Sequence, residues 1–127
     1  MNKTIIFSSD APKPVGPYNQ AVKTGNLVFL AGQIPIDPTV GKITATDVAA
    51  QTHQIIKNIQ AVLTKAGTSL DKVIKTTVFM KDLKDFSQMN EVYAQYFKAE
   101  TAPARSTIQV AALPLDSLVE IEVVAEI

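Results

Sequence analysis

The chain has 127 residues, 46% hydrophobic and 19% charged, with seven prolines and five glycines, values that describe one globular domain, 1–127, rather than a two-domain enzyme. Twelve basic residues balance twelve acidic ones, so the positive field of a non-specific nucleic-acid or anionic-membrane binder is missing and neither is expected as a partner. With no cysteine and a single histidine, His53, disulfide scaffolds, zinc fingers, iron–sulfur clusters and thiol nucleophiles are excluded, and neither a metal nor a cofactor is expected.

Ile5-Ile6-Phe7 is the only apolar run before Ser8, and nowhere does the chain carry the roughly 18 consecutive apolar residues of a membrane span. A cytoplasmic protein is expected. In chain order, weak strand patterns at 4–7 and 20–23 precede Thr24-Gly25-Asn26, which reads as a hairpin turn. Strand 27–31, Leu-Val-Phe-Leu-Ala, is apolar at every position and should be buried on both faces.

From Val48 to Ala66, Val48, Thr52, Ile55, Ile56, Ile59, Val62, Leu63 and Ala66 fall at steps of three and four, the stripe of an amphipathic helix. Thr46-Asp47 can cap its start, and Gly67 can end it. A strand over 73–80 follows. A second helix after Asp85 aligns Phe86, Met89, Tyr93, Tyr96 and Phe97. Strands over 106–110 and 119–125 complete the order β-β-β-α-β-α-β-β, an α+β fold with one mixed sheet and two helices. Two helices can cover only one face of such a sheet, so the other either is tolerated in water or is covered by a second copy of the chain, and the rarity of large apolar patches on monomers favours the copy.

Of the twelve basic residues eleven are lysine, and Arg105 is the only arginine. It stands immediately before the strand read at 106–110. Its planar fork can grip a carboxylate through two parallel hydrogen bonds, which lysine cannot do; a structural ion pair is the competing account. In the last strand, Glu120 and Glu122 project from one face. They belong either to a solvated surface or to a polar cleft where one carboxylate orients water or acts as a general base.

Asn90 falls on the inward stripe of the second helix and needs hydrogen-bond partners, whether a loop or a ligand. Gly16-Pro17-Tyr18 is a rigid turn presenting a phenol. His53 lies beside its helix's apolar stripe and is assigned no role. The five glycines are too dispersed for a phosphate-binding loop.

Read together, Gly16-Pro17-Tyr18, Ala31-Gly32-Gln33-Ile34-Pro35, residues 75–83 (KTTVFMKDL), Asn90-Glu91-Val92-Tyr93, Pro103-Ala104-Arg105-Ser106 and Val119-Glu120-Ile121-Glu122 resemble the Rid (YjgF-type) family, RidA-like subgroup, over essentially the whole chain. The resemblance implies a chorismate-mutase-like α+β domain with both helices on one face of the sheet. It also implies a homotrimer with a barrel-like core, with clefts between subunits. The implied activity is that of a 2-iminobutanoate/2-iminopropanoate deaminase: cofactor-free hydrolysis of 2-imino acids, by-products of pyridoxal-phosphate dehydratases, to 2-oxo acids and ammonia.

By the same resemblance Arg105 takes the substrate carboxylate, Glu120 manages the proton transfers, and Gly32 offers a backbone contact to the imine end. Tyr18 and Asn90 shape the cleft. Two positions depart from the pattern: Thr107, where many members have cysteine, and Ala31, where many have serine. Burial would raise the pKa of Glu120 and a nearby Arg105 would lower it, which leaves the sign open. Two further functions fit the same family: a regulatory module sensing small carboxylates, and an endoribonuclease or translation inhibitor.

Overall fold

The computed structural model describes residues 2–127; Met1, counted above in the domain and the N-terminal stretch, lies outside them. Three antiparallel strands open the chain, β1 (Lys3–Ile6), β2 (Ala21–Thr24) and β3 (Leu27–Leu30). Gly25, at φ 58°, turns β2 into β3, the left-handed geometry that a tight hairpin asks of glycine. A small separate ribbon follows, β4 (Ile36–Asp37) and β5 (Lys42–Ile43), which the sequence pattern did not indicate. Then come α1 (Val48–Ala66), β6 (Val73–Met80), α2 (Phe86–Tyr96), β7 (Ala104–Gln109) and β8 (Val119–Glu126).

The six long strands form one sheet in the order β1-β2-β3-β8-β6-β7. Only β6 and β7 pair in parallel; the other neighbours are antiparallel. The two helical crossovers, β3 to β6 through α1 and β6 to β7 through α2, step across the sheet in one direction. With the usual right-handed sense both helices fall on the same face. No helix among the described residues is long and apolar enough to cross a membrane.

α1 starts where Asp47 accepts a hydrogen bond from the Ala50 amide at 2.7 Å, and stops at Gly67, whose φ of 87° continues no helix. Every residue of the stripe read from the sequence is buried, and Ile55, Ile56, Ile59, Val62 and Leu63 are wholly so. Burial of each such side chain contributes about 1.5–3 kcal/mol. They meet Val28, Val78, Val119, Ile121 and Val123 from the sheet in one core. In α2 the stripe buries Met89 and Tyr93, while Phe97 caps the helix rather than belonging to it.

The opposite face is open in the single chain. Ile5, Val22, Phe29 and Val124 lie side by side across four strands, and Ile5, Phe29 and Ile108 keep 46%, 45% and 45% of their surface exposed. The expectation that residues 27–31 are buried on both faces is therefore corrected for the isolated chain: Val28 and Leu30 are buried, Phe29 is not, and Ala31 lies past the strand end. The reason is the one the helix count supplied, since both covers went to the same side.

Candidate functional site

β8 runs through the middle of the sheet, between β3 and β6, so its glutamates do not decorate an edge. Glu120 lies opposite Phe79 and Glu122 opposite Thr77, both on the open face. Glu120 is half-buried and Glu122 exposed. Desolvation first, and the neighbouring Glu122 charge second, hold Glu120 above the usual carboxylate range.

Beside Glu120 the ladder between β3 and β8 slips. Phe29 pairs with Val124 and Gln33 with Ile121, the latter through hydrogen bonds of 2.8 and 3.1 Å. Leu30, Ala31 and Gly32 thus oppose only Glu122 and Val123, a bulge that re-aims the chain. It brings the α-carbon of Gly32 under the Glu120 side chain. A Cβ at Gly32 would stand 2.9 Å from the Glu120 carboxyl carbon and nearer still to one of its oxygens. Gly32 is glycine because a carboxylate occupies the space of its side chain.

A cleft of about 390 Å³ opens from Gly32. Tyr18, Ile34 and Pro114 line it, and the Tyr18 hydroxyl accepts from the Val15 amide at 3.4 Å. Asn58, buried in α1, donates to the carbonyls of Ile36 at 2.9 Å and Ile34 at 3.4 Å, which fixes one wall of the cleft to the core. Nothing in the sequence marked Asn58 for this task.

Arg105 lies elsewhere. The structure begins β7 at Ala104, so Arg105 is inside the strand, not before it. It pairs with Thr76 of β6, and therefore belongs to the helix-covered face, opposite in sense to Glu120. Its Nη1 donates to Asn90 Oδ1 at 2.7 Å. The guanidinium carbon is 4.6 Å from the centre of the Tyr93 ring and 5.5 Å from that of Phe86, within cation–π range.

The Tyr93 hydroxyl is bonded to Thr76 Oγ1 at 2.8 Å, so the ring beneath the guanidinium is tied to the sheet. A second cleft of about 670 Å³ opens over Asn90, Pro103 and Arg105. Thr107, further along the same face of β7, has a buried hydroxyl with no hydrogen-bond partner among the described residues.

The five residues named from the sequence thus fall into two groups. Tyr18 and Gly32 line one cleft, with Glu120 against Gly32; Asn90 and Arg105 line the other. A single chain does not bring Arg105 to Glu120. Within one chain the open sign of the Glu120 shift resolves upward, from burial and the Glu122 charge, with no contribution from its own Arg105. Sequence reading placed Phe86 and Tyr93 in the core stripe and missed that they hold the guanidinium. His53, left without a role, bonds through Nδ1 to the Tyr96 hydroxyl at 2.8 Å and joins the two helices.

Comparison with known proteins agrees with this fold. The model of the family described as Endoribonuclease L-PSP matches residues 8–127. The chain is 46% identical over 125 residues to the chloroplastic Reactive Intermediate Deaminase A of Arabidopsis thaliana, an alignment covering 98% of this chain and 66% of that one. The crystal structure of YyfA, a Rid-family protein of Yersinia pestis, superposes with a TM-score of 0.96 at 47% identity, covering 99% of this chain and 100% of that one. Escherichia coli TdcF, solved with bound serine, matches with a TM-score of 0.91 at 45% identity over 98% of each chain. A model match over nearly the full chain and a shared fold at close to half identity make this chain a member of the Rid (YjgF-type) family.

Proposed function

We propose that the chain is a cofactor-free deaminase that hydrolyses reactive 2-imino acids, 2-iminopropanoate and 2-iminobutanoate among them, to 2-oxo acids and ammonia. The observation that carries this reading is the Glu120 carboxylate, held above its usual pKa and lying against Gly32, which lines a cleft. A carboxylate whose pKa moves toward neutrality suits proton transfer in both directions. The arginine needed for the substrate carboxylate is already oriented by Asn90, Phe86 and Tyr93.

Because Arg105 and Glu120 face opposite ways, a complete site takes Glu120, Gly32 and Tyr18 from one copy and Arg105 and Asn90 from another. A homotrimer whose open sheet faces turn to a barrel-like core meets that demand. It also covers Ile5, Phe29 and Ile108, which are exposed in the single chain.

In the reaction Arg105 grips the carboxylate, and the protonated C=N end lies at Gly32. Glu120 takes a proton as water adds to the imine carbon, then returns it to nitrogen. The C–N bond breaks, ammonia leaves with the bonding electron pair, and the hydroxyl proton passes to the re-ionised Glu120 as the carbonyl forms. A protonated imine is already electrophilic, so orientation and proton management are the chief needs. The deaminase relative from Arabidopsis thaliana supports the assignment.

The serine bound in TdcF favours a second reading, a module that senses small amino and oxo acids. Both readings need Arg105, and only catalysis needs a proton-transfer group. The test couples purified threonine dehydratase to this protein, excludes free amines, and follows decay of the imine absorbance while calorimetry follows ligand binding. Glu120→Gln is expected to abolish decay and keep binding. If the parent binds small carboxylates but leaves imine decay unchanged, the sensing reading replaces the catalytic one.

A further inference from the structure

The cleft that opens from Gly32 is bounded by backbone in an unusual conformation. Within the 3-10 turn Pro114–Asp116, Leu115 (φ 55°, ψ 30°) and Asp116 (φ 55°) are both left-handed, and neither is glycine. Such a conformation is disfavoured for a branched apolar residue and persists where the surroundings hold it. Its effect here is to present Leu115 to the cleft with 69% of its surface exposed. Val15, 87% exposed, lines the same cleft, as do Ile34, Ile36 and Pro114.

The polar side chains of this lining are Lys13, Tyr18, Gln20 and Gln33, and its other residues are apolar or glycine. The buried Gln20 carboxamide accepts from the Ser8 amide at 2.6 Å and donates to the carbonyls of Ser8 and Pro12 at 3.0 and 2.9 Å. Lys13, exposed, is the only charged residue of the lining among the described residues. The volume, about 390 Å³, lies within the roughly 300–1,000 Å³ of ordinary small-molecule sites and far exceeds what a methyl or ethyl group fills.

A 2-imino acid carries three groups on its reacting carbon. In the function proposed above, on which this inference rests, the carboxylate goes to Arg105 and the C=N end to Glu120 and Gly32. The third group, the side chain, is left with the cleft that Gly32 also lines. We infer that this cleft selects 2-imino acids with branched or aromatic apolar side chains over those with methyl or ethyl, and that Leu115 is the residue that determines the preference. A methyl group leaves Leu115 and Val15 in water. A four-carbon branched side chain removes apolar surface on both partners, which is worth about four-fold per buried methylene.

The test generates imino acids in place with an L-amino-acid oxidase and catalase, from alanine, leucine and phenylalanine, and traps the surviving imine with semicarbazide. The expected result is a kcat/KM at least ten-fold higher for the leucine-derived imine than for the alanine-derived one. Leu115→Ser and Val15→Ser should each lower that leucine-to-alanine ratio about ten-fold. Leu115→Gly, which suits the left-handed backbone and secures folding, should lower it likewise.

Equal or faster hydrolysis of the alanine-derived imine overturns the inference, as does an unchanged ratio in both Leu115 variants. Absence of hydrolysis for every imino acid overturns the catalytic reading and this inference with it. That outcome is distinct from hydrolysis without discrimination, which overturns the inference alone.

Discussion

The Glu120 carboxylate rests on the α-carbon of Gly32, in the space where any other residue would carry its side chain. Gly32 does not have a left-handed backbone, so alanine can adopt its conformation. What alanine cannot do is leave the carboxylate where it is. Gly32→Ala is expected to fold with an unchanged circular dichroism spectrum and to lose imine hydrolysis by about a hundred-fold, the order of loss that a 1 Å misplacement of a reacting group produces. Activity within two-fold of the parent would show that the position of the carboxylate does not matter.

The charge of Glu122 is the second cause of the raised Glu120 pKa, after burial. On the proposed role, catalysis by the ionised Glu120 is expected to rise with pH through that raised value. Glu122→Gln removes one of the two causes, so the acid limb of the kcat/KM profile is expected to move to lower pH, with the plateau within a few-fold of the parent. Glu120→Gln should remove most turnover.

Stability gives an independent reading of the same group. A carboxyl whose folded pKa exceeds its unfolded value contributes most below the unfolded pKa, and loses that contribution as pH rises through the folded pKa. Glu120→Gln is therefore expected to raise Tm at neutral pH, with the gain vanishing in acid below the ordinary carboxylate range. Thermal melts across that range check the sign. A lower Tm at neutral pH would mean that the folded state favours the charged form.

Arg105 is held by one hydrogen bond to Asn90 and by the rings of Tyr93 and Phe86. A lysine keeps the charge and loses the fork. Arg105→Lys is expected to fail nearly as badly as Arg105→Ala. Removing one partner of a desolvated charge pair costs about 2–5 kcal/mol, or roughly thirty- to several-thousand-fold in kcat/KM. Asn90→Ala, which frees the guanidinium without removing it, should raise KM about ten-fold, the lower end of a charged hydrogen bond's worth. Steady-state kinetics of the three variants give the ranking.

The sequence carried α1 and β6 to their ends, because an amphipathic stripe with Asp47 before it and Gly67 after it, and a run rich in β-branched and aromatic residues between polar turns, are local signals. It also placed Glu120 and Glu122 on one face, since strand alternation is local too. The two-residue strands β4 and β5 have no period to read. Arg105 was set outside its strand because the apolar pattern starts later, although Pro103, which favours extended backbone around it, pointed to an earlier start.

That Arg105 and Glu120 face opposite sides depends on the order of β8, β6 and β7 and on the parallel pairing of the last two, which no local pattern encodes. The left-handed backbone of Leu115 is likewise silent in sequence, because leucine is among the residues least expected there.

The claim that most needs testing is that Arg105 and Glu120 act together only across two copies of the chain. Arg105→Ala and Glu120→Gln are each expected to be inactive. If the chain assembles as the proposed homotrimer, the two variants unfolded together in equal amounts and refolded should give mixed trimers in which some clefts receive Glu120 from one variant and Arg105 from the other. With random association that holds for about one cleft in four, so about a quarter of the parent activity should return on mixing two inactive proteins. Recovery to that level is the expected result. A mixture as inactive as its components, with mixed trimers demonstrated by mass spectrometry, would place the two residues' work within one chain and contradict the account.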